Sequence, residues 1–422
     1  MEQVMTSEAE IEAPATLGLW HGVALYAGSV LGTGVLVLPS IAAETAGPGS
    51  LIAWLFLVML SAPMALTYAA LCVQRPDSGG FSDTIARAFG RRWGAVAGWL
   101  FVAQVPTGTL VAALIAGQYG ASALGGGDGL ARLLGAGMVL LAYALNFGGL
   151  RLSATAQVVT LSAILLGLLA IVAGALPRVE SAAFTPMLPH GAGAVGVAAV
   201  QLFWAFVGWE AITPLAKDFK RPRDIWWASA LAVVLVGVIS LALAVATIGC
   251  RAYGPALGGQ APLAFLAGGA FGANDSRIVG LGGFLLCFIP LNGYVAGTSR
   301  LVASLAQRGE LPRWLGRSSS SGVPRPALLA LGGACAVAIC VSLVTPVGMA
   351  DLLPYSTSSF LATYVLSMAA AVRLLRAKMR LLAAVALLAC MGVLLFVGPL
   401  LGWIGGVTVA CLVYQRFARD RR

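Results

Sequence analysis

Charge is scarce in this chain. Asp, Glu, Lys and Arg together make up 10% of its 422 residues, and histidine occurs only twice. A soluble domain carries about 25% charged residues, so an ordinary water-facing surface is excluded. His21 and His190 fall at the inner end of the first apolar run and in a loop on the opposite side, too far apart for a metal pair. The seven cysteines lie in or at the ends of apolar runs with no CxxC spacing, which makes them small apolar packers and not a redox or metal set. No Walker loop, GxSxG, HExxH or paired acidic motif stands in a plausible context, so no enzyme, cofactor or metal is expected. The first 17 residues contain four glutamates and neither Lys nor Arg, the wrong charge for a signal peptide, and the first apolar run is expected to stay in the mature protein.

Apolar residues are abundant. They make up 59% of the chain, which reads as an integral membrane protein with no sizeable soluble domain. Twelve apolar runs are centred near residues 32, 62, 107, 140, 165, 205, 237, 290, 336, 361, 388 and 407, each near the ~20 residues a spanning helix needs. The net charge of +10 does not read as a nucleic-acid face, because Lys and Arg sit in short clusters between apolar runs. With both termini cytoplasmic, only Arg132, Arg178, Arg251 and Arg277 of the 26 basic residues fall outside. That asymmetry is the positive-inside pattern of a multi-pass inner-membrane protein surrounded by lipid.

Against this background Glu210 stands out, inside the apolar run that ends in Lys217, Lys220, Arg221 and Arg223. An ionised side chain at mid-bilayer costs at least ~2.5 kcal/mol on insertion scales, so it is expected to face a partner, a cavity or a transported species. Phe203, Trp204, Phe206, Gly208 and Trp209 crowd the same stretch. The first run, about Leu19 to Thr45, is interrupted by Gly32-Thr33-Gly34. Such glycines permit either a helix break or close packing of a neighbouring helix. Runs 1 and 6 are separated by five, an odd number, so they enter the membrane from opposite sides. Paired glycine breaks in two inverted halves point to a midplane substrate site, which favours the break. An N-terminal half-helix end around Thr33 to Leu36 could then hold a carboxylate. Gln104, Thr107, Asn292 and Tyr355 are further candidates to line a cavity, although a lone Asn more often bonds a neighbouring helix. Between runs 2 and 3, Pro76 and Gly79-Gly80 predict a turn, and Ser82 or Asp83 is expected to cap a short amphipathic helix ending at Gly90.

Five motifs in order resemble the amino acid, polyamine and organocation transporter superfamily. They are Gly32-Thr33-Gly34; Pro76-Asp77-Ser78-Gly79-Gly80; Phe206-Val207-Gly208-Trp209-Glu210; Arg221-Pro222-Arg223-Asp224-Ile225; and Ser299-Arg300 followed by Gly309-Glu310-Leu311-Pro312. Within it, the length and the string Phe203-Trp204-Ala205-Phe206-Val207-Gly208 are most similar to bacterial exporters of methionine and branched-chain amino acids. The chain departs from the family where Arg221 replaces the usual Asn, Trp226 the usual Pro, and Trp209 a smaller aliphatic residue.

The resemblance implies an all-α membrane fold of twelve transmembrane helices. A five-plus-five inverted core (18–176 and 193–376) with helices 1 and 6 broken would follow an N-terminal tail (1–17) and precede two further helices (379–416) and a tail (417–422). It implies a secondary transporter that moves neutral apolar L-amino acids (methionine, leucine, isoleucine, valine) across the inner membrane by alternating access, in the export direction. Thr33 and Gly34 would bind the substrate carboxylate, and the carbonyls of Val30, Trp204 and Val207 the ammonium group. Gly32, Phe206 and Gly208 would complete the pocket. Trp204, Trp209 and Glu210 would gate or couple transport; the fifth run holds no Lys of the kind other proton-coupled members use, so that mechanism has no counterpart here, and Glu210 could be either a proton carrier or a structural hydrogen-bond acceptor. An uptake carrier or exchanger, and a non-transporting sensor of the same fold, are the alternatives.

Overall fold

A hydrocarbon environment leaves no water to satisfy backbone groups, so helices are the form in which such a sequence can cross it. The computed structural model describes residues 17–75, 80–149, 154–257, 261–319, 322–345 and 348–419. Helices follow in the order α1 (Leu19–Val30), α2 (Gly34–Ala46), α3 (Ser50–Gln74), α4 (Phe81–Phe89), α5 (Arg91–Ala103), α6 (Val105–Leu124), α7 (Asp128–Phe147), α8 (Ala154–Ala175), α9 (Gly191–Phe203), α10 (Pro222–Gly249), α11 (Pro262–Phe271), α12 (Ala273–Gln307), α13 (Arg325–Val344), α14 (Met349–Leu374), α15 (Ala377–Leu394) and α16 (Leu401–Arg419). Among the described residues, nine helical segments are long and apolar enough to cross a membrane. Three shorter apolar segments, Ser162–Arg178, Gly191–Phe206 and Pro262–Phe271, accompany them.

Helices that cannot gain from excluding water must gain from close packing, and small residues permit it. At the α6–α7 seam a Cβ on Gly117 would run into the Ala131 carbonyl, and one on Gly135 into the Ala113 carbonyl. Elsewhere α3 packs on α10, α6 on α12, α14 on α15, and α2 on α9.

Two ties bring the ends of the interrupted helices together. Leu17, just ahead of α1, donates its N–H to the Asp218 carbonyl (2.9 Å), and Lys220 donates to Leu17 (2.9 Å), a short parallel bridge to the chain that follows α9. At the far end of α2, Thr45 donates to the Gln201 side chain of α9 (2.9 Å), and Glu44 accepts the Gly254 N–H (2.8 Å). The His190 ring Nδ1 lies 3.0 Å from the Thr45 carbonyl.

The expected cap of α4 is not made by Ser82 or Asp83. The helix starts at Phe81 behind Gly80 with no side-chain cap and ends at Gly90, whose φ of 92° is open to glycine. Ser82 is drawn instead to the Gly94 carbonyl (3.3 Å) and Asp83 to the guanidinium of Arg308, so tertiary partners win over local capping. Residues 76–79 of the predicted turn, and 1–16 of the N-terminal tail, lie outside the described residues.

Candidate functional site

The first interruption spans three residues. After Val30 the chain leaves the helix at Leu31, whose N–H closes on Ala27 (2.7 Å), and helix resumes at Gly34. Thr33 occupies the cap position without a side-chain bond, and its carbonyl accepts the Leu36 N–H (3.2 Å). As first residues of α2, Gly34 and Val35 present N–H groups that no earlier turn accepts, at the positive end of the helix dipole.

A second interruption lies across from it. α9 tightens into a 3₁₀ turn at Trp204–Phe206, Val207 is extended, and Gly208 takes φ 125° before a 3₁₀ segment, Trp209–Asp218. Only glycine fits at position 208. Its φ lies in the region disfavoured for L side chains, and a Cβ there would be 2.8 Å from the Ser29 carbonyl oxygen. A Cβ on Gly34 would be 3.6 Å from the Ala205 Cα, so the two interruptions lie in direct contact. Gly32 has ordinary room, with Pro290 of α12 3.9 Å from its Cβ position.

Glu210 finds its partner on a third element. Tyr364 of α14 donates its hydroxyl to Glu210 Oε2. The Gly208 N–H lies 3.1 Å from both that carboxylate oxygen and the Tyr364 hydroxyl. Tyr364 is held edge-on by Phe203 (centroids 5.5 Å apart, 87°) and Tyr68 (5.6 Å, 76°). One hydroxyl thus ties the carboxylate, the left-handed glycine and α14 into a single unit. Sequence reading missed Tyr364; its only signal was a tyrosine in a hydroxyl-rich apolar run.

The aromatic residues wall this centre. Phe206 meets Trp54 edge-on (5.7 Å, 66°), and Trp209 is tilted on Tyr26 (5.9 Å, 43°). Both are buried, as are Val30 and Thr33, whereas Trp204 is half-buried.

The further candidates separate. Gln104, at the α5–α6 joint, accepts the Ser356 hydroxyl of α14 (2.8 Å), and Thr107 donates to the Gln104 carbonyl (3.0 Å). Asn292 accepts from Asn146 of α7 (2.8 Å), an interhelical clamp. Tyr355 is not brought to the interruptions; it is 40% exposed and packs edge-on against Trp403 of α16 (5.9 Å, 84°). Among the described residues no group of three or more His, Cys, Asp or Glu could hold a metal.

The pattern of the amino acid permease family matches residues 17–421. The chain belongs to the amino acid permease family. This permease is 34% identical over 384 residues, 90% of its length and 91% of the relative's, to the L-methionine/branched-chain amino acid exporter YjeH of Escherichia coli (strain K12). It is 34% identical over 357 residues, 84% of each chain, to the uncharacterized amino acid permease YecA of Bacillus subtilis (strain 168). The branched-chain amino acid permease BcaP of Lactococcus lactis subsp. cremoris (strain MG1363) is 24% identical over 340 residues, 72% of this chain and 70% of the relative. The permease is thus a multi-pass membrane protein whose substrate is an amino-acid-type small molecule.

Proposed function

We propose that this permease exports neutral apolar L-amino acids, with methionine, leucine, isoleucine and valine as the substrate class, across the inner membrane by alternating access. In this reading the chain crosses twelve times with both termini cytoplasmic, as an inverted five-plus-five core followed by α15 and α16. The observation that carries it is the contact of two glycine-interrupted helices, in which Gly34, at the start of α2, lies against Ala205 of the Trp204–Gly208 turn. A zwitterion suits that junction. Its carboxylate is attracted to the N–H groups of Thr33 and Gly34, its ammonium to the carbonyls of Val30, Trp204 and Val207, and an apolar side chain to the aromatic wall. Direction and substrate class lean on the similarity to the E. coli exporter.

Counterflow in proteoliposomes tests the reading. With unlabelled leucine or methionine inside, labelled substrate is expected to accumulate with wild type, and Gly34→Val to lose that uptake while remaining folded. A β-branched side chain would crowd both the amides and Ala205. No accumulation with any neutral amino acid would defeat the proposal and favour a sensor. Efflux from preloaded cells separates export from uptake.

Glu210 carries the coupling proton in this scheme. Glutamine keeps an acceptor oxygen for both Tyr364 and the Gly208 N–H, so Glu210→Gln preserves those two bonds and removes the titration. We expect that variant to retain counterflow and to lose transport driven by a pH gradient; unchanged gradient-driven transport would rule the proton role out.

A further inference from the structure

Away from the interrupted helices, an open cleft of about 520 Å³ lies where α12 ends, and its polar lining is dominated by the guanidinium groups of Arg91, Arg308, Arg313 and Arg317. The cleft is a built feature. Gly309, at φ 75°, reverses the chain after α12, Gln307 donates to the Gly316 carbonyl (3.1 Å), and Trp99 of α5 donates to the Glu310 carbonyl (2.9 Å). Arg91 donates to the Arg308 carbonyl (2.9 Å), joining the start of α5 to the same turn.

The charges do not cancel. Arg308 pairs with Asp83 and Glu310, and Arg91 lies 3.8 Å from Glu310, so two carboxylates serve two of the arginines. Arg313 and Arg317 make no ion pair among the described residues. Two large aromatic residues of the same region, Trp93 and Trp314, are 43% and 52% exposed. Exposed tryptophans beside arginines at the end of a spanning helix are what a protein presents to the headgroup level of a bilayer.

We propose that this cleft binds the phosphate group of an anionic phospholipid, with Arg313 and Arg317 as its principal ligands. Guanidinium forks suit phosphate oxygens two at a time. The exposed indoles account for a lipid in preference to a free anion, since they give the glycerol and upper acyl chain a surface to lie on. A headgroup held there bridges α12 to α5, and through Asp83 to α4.

The full-length protein in phosphatidylcholine nanodiscs, doped with either brominated phosphatidylglycerol or brominated phosphatidylcholine, provides the test through quenching of tryptophan fluorescence. Phosphatidylglycerol is expected to quench at several-fold lower mole fraction. Arg313→Gln combined with Arg317→Gln should abolish that preference, since each basic residue at a surface contributes roughly a factor of five and the loss of two exceeds a several-fold preference. Trp93→Phe combined with Trp314→Phe should remove the phosphatidylglycerol-specific part of the signal. Equal quenching by the two lipids would overturn the proposal, as would a preference that survives the double arginine substitution or a specific signal that survives the loss of both tryptophans. Abolition of the signal by millimolar glycerol phosphate would assign the cleft to a free anion and overturn the lipid.

Discussion

The interrupted centre and the last helix, α16, are built from similar material and used in opposite ways. Both are apolar and glycine-bearing, yet 67% of the apolar window in Gly34–Gln74 is buried against 6% in Gly398–Ala418. A Cβ on Gly208 would strike the Ser29 carbonyl, whereas Cβ atoms on Gly402, Gly405 and Gly406 would meet nothing within 4 Å. In water such a difference would show in polarity. In a bilayer a lipid-facing surface is as apolar as a protein-facing one, so composition cannot separate them. What separates them is the work asked of the backbone: at the centre it bends, exposes amides and admits another chain, and in α16 it continues a helix.

Gly208→Ala is the strongest way to break the contrast. It adds a positive-φ strain of about 1–3 kcal/mol to a backbone collision, and counterflow is expected to fall about a hundredfold or more, with a lower melting temperature. Wild-type transport in that variant would mean that the turn tolerates another geometry. Tyr364→Phe comes next. It keeps the ring packing against Phe203 and Tyr68 but removes the donor to Glu210, and losing one hydrogen bond to a charged group costs roughly 1.5–3 kcal/mol. A fall of about tenfold or more in counterflow is expected, larger than for Glu210→Gln, which keeps the acceptor. Equal effects of the two would show that the hydroxyl does not position the turn. At the weak end, Gly406→Ala is expected to leave transport within about twofold and to raise helix stability by at most ~1 kcal/mol. A severe loss there would expose a packing partner for α16.

Much of the centre was legible from single residues. Gly32-Thr33-Gly34 and Phe206-Val207-Gly208 announced their interruptions because glycine is poor helix material, and both sites leave the α-helix within a residue or two of the expected place. Glu210 announced itself as a charge in an apolar run. Its partner could not be read in that way, because Tyr364 lies 154 positions away and a tyrosine in a membrane helix is unremarkable until its hydroxyl has a neighbour. The surroundings of Tyr355 were hidden for the same reason. Polarity made it a candidate to line a cavity; which face of α14 turns inward is set by packing, and Tyr355 packs edge-on against Trp403. Ser82 and Asp83 likewise read as caps from local chemistry and were claimed by distant partners.

By itself, then, the sequence determined that this protein lives in a membrane, belongs with the amino acid permeases, and interrupts its first and sixth apolar runs. Those are properties of composition and of local backbone preference. Tertiary structure alone decided that the two interruptions touch, that Tyr364 closes the turn on Glu210, and that Arg313 and Arg317, in the turn after α12, have no carboxylate partner among the described residues. Each of these depends on which helix faces meet, and in lipid that choice follows shape and hydrogen bonding, which hydropathy does not record.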